Sequence, residues 1–275
     1  MTEAEWQTCE SPLPMLIFLR GEVPAEKTRQ FVTRIVSGYG DLFPGPGQHI
    51  SARKCRLFIL ACLQRLHELP LDEPSRQLMA VYQRYALGEG PRDEFIQASL
   101  RIQEVVASGG TALVSHLAAA LWTDDPAGVA SAAMDIACSV ANVKAKDSVA
   151  VTCAEATEDD RFAWAFCGGP PDPLWQAARK GVWDEYPDLI REVVGNPFRS
   201  APTIGPAVLA WEGGCVARMA ATAYRERDFS PERMGVLADA LEEAGYGGSE
   251  VLAHLRSGAE HVRGCWAVDA LLGRS

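Results

Sequence analysis

Two apolar stripes constrain this chain more than any other feature. Val216, Met219, Ala220 and Ala223 form the first, and Met234, Leu237, Ala238 and Leu241 the second. Both follow i, i+3, i+4, i+7, the spacing that returns to one side of a helix at every turn. A strand, whose side chains alternate with period two, cannot bury such a set. Ser230-Pro231 lies between the stripes and reads as an N-cap followed by proline at the first helical position, where no N–H is needed. Gly245 closes the second stripe as a C′ glycine. Ser249-Glu250 opens a further short helix, and a terminal helix is expected from Gly264 to Leu272.

Similar signals recur toward the N-terminus. Helices are expected over Glu3 to Thr8, Ser11 to Arg20, Lys27 to Ser37, from Ser51, over Arg76 to Leu87 and over Asp93 to Ala107. Leu57 to Leu63 is apolar all round, so its helix should be central. Gly38 to Gly47 reads as a loop, and Pro70 and Pro74 read as breaks. Val129, Ala133, Ile136, Ala137 and Val140 make another helical stripe. Ser148 to Ala156 fits helix or strand equally. Thr157 to Asp160 has the spacing of a capping box. Asp172-Pro173 opens a helix that Gly181 should end, and Pro187 to Val194 forms the next. The expected fold is all-α, about a dozen short helices packed as antiparallel helical hairpins. Three regions are expected, an N-terminal one over 1–108, an acidic central one over 109–195 and a C-terminal one over 196–275, with Gly109-Gly110 at the first boundary.

Several runs carry a resemblance. At the C-terminal end they are Asn196-Pro-Phe-Arg, Leu209-Ala-Trp-Glu-Gly-Gly, Tyr224-Arg-Glu-Arg-Asp-Phe, Val236-Leu-Ala-Asp-Ala-Leu-Glu-Glu-Ala-Gly and His261-Val-Arg-Gly-Cys-Trp-Ala-Val-Asp. At the N-terminal end they are Met1-Thr-Glu-Ala-Glu-Trp, Pro14-Met-Leu-Ile-Phe-Leu-Arg-Gly and Arg53-Lys-Cys-Arg-Leu-Phe-Ile-Leu-Ala-Cys. Together these resemble a bacterial family of paralogous helical proteins. The resemblance implies kinship and brings no activity, cofactor or partner with it.

Charge narrows the choice of partner. The chain has a net charge of −10, and residues 121–195 hold 13 acidic against 6 basic groups. An acidic chain is not drawn to nucleic acid or to an anionic membrane over long range. The basic knot Arg53-Lys54-Arg56 reads as a solvated helix face. The first apolar run, Met15 to Leu19, follows Glu3 and Glu5 and is too short for a secretory signal or a membrane span. The eight cysteines include no C-x-x-C pair and are expected as unbridged thiols in a reducing cytoplasm.

One constellation carries chemistry-bearing residues. His261, Cys265 and Asp269 follow at i, i+4 and i+8, which drift by only about 40° per step round a helix. On one face they could form a nucleophilic thiol, its base and an orienting carboxylate. Adding His254 gives four residues of metal-ligand type, at a spacing that matches no common zinc pattern. The plainer reading is a buried, inert thiol, since Val268 and Leu272 share that face. No phosphate loop, G-x-G-x-x-G, H-E-x-x-H or G-x-S-x-G is present. Trp211 and Trp266 read as core.

The sequence therefore points to a non-catalytic interaction or scaffold protein in the cytoplasm, without cofactor. Its partner would be another protein, a basic one if it meets the acidic centre. The alternatives are a hydrolase or transferase with a Cys/His site near the terminal helix, and an immunity-type or accessory partner of a genome neighbour.

Overall fold

The computed structural model describes residues 1–20, 50–66, 71–107 and 173–274, and the single positions 129, 133, 136, 137, 140 and 141. All ten helices with described ends are α-helices, and no strand occurs among the described residues. They are α1 (Glu3–Thr8), α2 (Pro12–Arg20), α3 (Ala52–Gln64), α4 (Glu73–Ala86), α5 (Arg92–Ala107), α6 (Pro173–Val194), α7 (Pro206–Glu226), α8 (Pro231–Glu243), α9 (Ser249–Leu255) and α10 (Trp266–Leu271). The all-α expectation holds, with ten helices among the described residues where about a dozen were expected. The stripe Val129, Ala133, Ile136, Ala137 and Val140 is helical and buried. The expectations for Lys27 to Ser37, Gly38 to Gly47, Pro70, Gly109-Gly110, Ser148 to Ala156 and Thr157 to Asp160 lie outside the described residues. The chain divides into two compact units, Met1–Asp188 and Leu189–Ser275.

In the first unit the helix starts follow local chemistry. Thr2 and Glu5 make a reciprocal capping box at α1. Ser51 caps α3 through Lys54 N–H, and Asp72 caps α4 through Ser75 N–H. Pro74 does not break the chain: it sits in the first turn of α4, where a missing N–H costs nothing. The α3 run Leu57 to Leu63 is buried on every side, as an all-round apolar helix must be. Tyr82 Oη, on α4, donates to Arg56 O at 3.0 Å, and its ring lies 5.4 Å from Phe95 on α5.

The second unit is a closed cycle of packed helices. α7 packs on α8, α8 on α9, α9 on α10, and α10 back on α7. The stripe Met234, Leu237, Ala238 and Leu241 is wholly buried, as are Val216, Ala220 and Ala223. α7 is interrupted at Trp211–Gly214, where Glu212, Gly213 and Gly214 take positive φ. Arg218 folds back on this break and donates to Gly213 O.

The segment 173–194 corrects one expectation. Gly181 and Pro187 were each expected to punctuate it, and α6 runs through both. Proline in a helix loses one hydrogen bond and crowds the preceding turn. Burial of Tyr186, Leu189, Ile190 and Val193 along α6 offsets that loss. Among the described residues, no helix is long and apolar enough to cross a membrane.

Candidate metal centre

The last turn of α6 buries Leu189, Ile190 and Val193, and Glu192 among them is only 5 % exposed. A carboxylate at a helix C-terminus faces the negative end of the dipole, and in a dry interior it needs partners. Its partners come from two other stretches of chain. α9 buries Val251, Leu252 and Leu255 and carries His254 along its edge. The loop after α9 brings in His261 and Cys265.

A turn in that loop decides where the thiol goes. Cys265 N–H donates to Val262 O at 2.9 Å, closing four residues with Gly264 third. Gly264 has φ +98, a conformation open to glycine in the third place of a type II turn. Arg263 anchors the turn from outside, donating from Nε to Tyr224 O at 3.0 Å, in the last turn of α7. A guanidinium suits the free carbonyls of a helix C-terminus. Cys265 then stands as the N-cap residue of α10 without a side-chain capping bond.

These elements bring four ligand-type atoms within 4.8 Å of one another, from Glu192, His254, His261 and Cys265. His254 Nε2 lies 3.1 Å from Glu192 Oε2 and 3.3 Å from Cys265 Sγ. His261 Nδ1 lies 3.1 Å from Glu192 Oε1 and 3.9 Å from the same sulfur. Val262 N–H donates to Glu192 Oε1 at 3.3 Å and helps orient the carboxylate. The His261 side chain and Cys265 are fully buried, and the His254 side chain is 18 % exposed. His261 Nε2 is buried without a hydrogen-bond partner.

Burial is the largest single influence on Glu192 and acts to raise its pKa. Hydrogen bonds from His254 and His261, with their charges, outweigh it and bring the group to about 2. The Cys265 thiol is pushed well above its ordinary range, by burial first and by the Glu192 charge second.

The pattern of nitrogens separates two chemistries. In a nucleophile relay the imidazole uses one nitrogen for the thiol and the other for the orienting carboxylate. Here each imidazole turns a single nitrogen to both sulfur and carboxylate. Four side chains thus turn donor atoms toward one another, all within 4.8 Å, as ligands do. With Zn–N near 2.0–2.1 Å and Zn–S near 2.3 Å, the edges of a zinc tetrahedron are about 3.3–3.6 Å. The nitrogen-to-sulfur and nitrogen-to-oxygen separations, 3.1 to 3.9 Å, lie near those edges, with Glu192 turning Oε2 to His254 and Oε1 to His261, and the four ligand atoms together lie within 4.8 Å.

Three of the residues singled out in the sequence, His254, His261 and Cys265, therefore meet. The fourth, Asp269, is 1 % exposed and lies outside the group. The helical face that the spacing would allow His261, Cys265 and Asp269 to share does not form, because α10 begins only at Trp266. Glu192 takes the fourth place. Its signal in the sequence was slight, a lone acid beside the apolar residues Leu189, Ile190 and Val193. Comparisons with protein-family models, curated proteins and solved structures found no match to this chain.

Proposed function

We propose that Leu189–Ser275 is a metal-binding module holding one divalent transition-metal ion, zinc by its donor set, between Glu192, His254, His261 and Cys265. The observation that carries this reading is the convergence of one nitrogen from each imidazole on both Cys265 Sγ and Glu192. Two imidazoles, a thiolate and a carboxylate are all donors that zinc accepts, and the two anionic ligands neutralise a dication in a dry site. Four protein ligands leave no open position, the mark of a structural ion. Such an ion would tie the end of α6 to α9 and to the turn before α10.

Around this module the chain is a non-catalytic interaction protein, its helices paired as antiparallel hairpins. Its partner is another protein, and the excess of acidic groups in residues 121–195 supports a basic one. Two of the four ligands, His261 and Cys265, fall inside the pattern His261-Val-Arg-Gly-Cys-Trp that carries the resemblance to the bacterial paralogous family. A hydrolase or transferase reading keeps one observation in its favour, the 3.3 Å contact between Cys265 Sγ and His254 Nε2.

Elemental analysis of protein purified without chelator tests the module. One equivalent of zinc is expected, held more weakly in His254→Ala and lost in Cys265→Ser. Cobalt substitution should give thiolate charge-transfer and tetrahedral d–d bands. Protein that takes up no ion on titration, while Cys265 alkylates rapidly near neutral pH, would replace this reading with the enzymatic one.

A further inference from the structure

The least enclosed of the four ligands, His254, has an aromatic neighbour that the ligand set does not include. Its ring centroid lies 4.8 Å from that of Trp266, with the planes at 44°. Trp266 is the first residue of α10, directly after the ligand Cys265. Its ring is seated in turn on Gly195, just past the end of α6. A Cβ placed on Gly195 would come within 2.9 Å of Trp266 Cγ and 3.2 Å of Cδ2. Gly195 holds φ +76 and donates its N–H to Arg191 O at 2.8 Å, so this close approach belongs to the helix end itself. The indole thus lies between a glycine three residues after one ligand and the ring of another.

On the metal-binding reading above, we propose that Trp266, seated on Gly195, is a positioning residue for the ion. It fixes the His254 ring with Nε2 toward the centre. His261 and Cys265 are already held by full burial, and Glu192 by the Val262 N–H. His254 is less enclosed, and the two rings against it are His261, edge-on at 4.9 Å, and the Trp266 indole at 4.8 Å. A ligand ring free to rotate binds more weakly, and loss of an outer partner of this kind costs about 10–100-fold in affinity.

The test is a double-mutant cycle read on zinc affinity and on release of zinc to a chromophoric chelator. In full-length protein, Trp266→Leu should weaken binding about 10–100-fold and speed release, and Trp266→Phe should restore most of the loss. In a His254→Ala background, Trp266→Leu should change affinity little, because the ring it positions is gone. The cobalt d–d bands of Trp266→Leu should move toward those of His254→Ala, a change that mere loosening of the fold would not produce. Circular dichroism melts of the zinc-loaded variants confirm that each is folded. Equal loss of affinity in both backgrounds would overturn the proposal by making Trp266 a packing residue only. Failure of the wild-type protein to bind zinc would instead remove the metal reading beneath it.

Discussion

Glu192 Oε1 and His261 Nδ1 lie 3.1 Å apart across 69 residues of sequence. Both groups are buried, so neither can exchange the other for water without opening the C-terminal unit. Removing one partner leaves the other with its desolvation cost uncompensated. Glu192→Ala in ion-free protein should therefore cost about 1–3 kcal/mol, measured by urea denaturation.

Acid should act through the same carboxylate. Its pKa falls from 4.5 to about 2 on folding, in an environment that also contains His254, His261 and Cys265. A depressed carboxylate contributes its full stability above the unfolded value and loses it as pH falls through the folded one. The ion-free protein should lose stability progressively between pH 4.5 and about 2. Glu192→Gln should flatten that slope in an acid titration followed by near-ultraviolet circular dichroism.

Two glycines should respond to alanine with opposite signs. Gly195 has positive φ and would press a Cβ against Trp266, so Gly195→Ala should destabilise by about 1–3 kcal/mol. Gly235 lies inside α8 with open space at its Cβ position, so Gly235→Ala should stabilise by about 0.5–1 kcal/mol. Thermal melts of the two variants at matched metal content check both signs.

Arg263 should not tolerate lysine. Its guanidinium reaches Tyr224 O from Nε and Arg225 O from Nη2, two acceptors that a single ammonium cannot match in direction. Arg263→Lys should cost about 1.5–3 kcal/mol in chemical denaturation. It should also weaken ion binding, since the turn that presents Cys265 loses its anchor.

Truncation before Gly264 should remove Cys265 and the buried pair Val268 and Leu271. That pair contributes about 1.5–3 kcal/mol per side chain. The expected product has helical circular dichroism but no cooperative melt of the C-terminal unit. A melt near the full-length temperature would show α10 to be peripheral.

What the sequence by itself determined is what local chemistry decides. Ser51 caps α3, and the stripe from Met234 to Leu241 buries one side of α8, because capping and helical periodicity act within a few residues. Leu57 to Leu63 announced a central helix for the same reason. Tertiary structure decided where local signals competed. Gly181 marked a stop and Pro187 a fresh start, and α6 continues through both because side chains along it find burial that no local rule contains. The candidate site shows the division most sharply. His254, His261 and Cys265 lie close in sequence and could be singled out, but the helical face that His261 and Cys265 could have shared with Asp269 does not form, because Gly264, with positive φ, turns the chain before α10 begins. Glu192 is 69 residues from His261, a separation that no helical period spans. Only the packing of the α6 end, α9 and the turn at Gly264 brings that carboxylate to the two imidazoles and the thiol, since a buried charge can settle only where the fold supplies its partners.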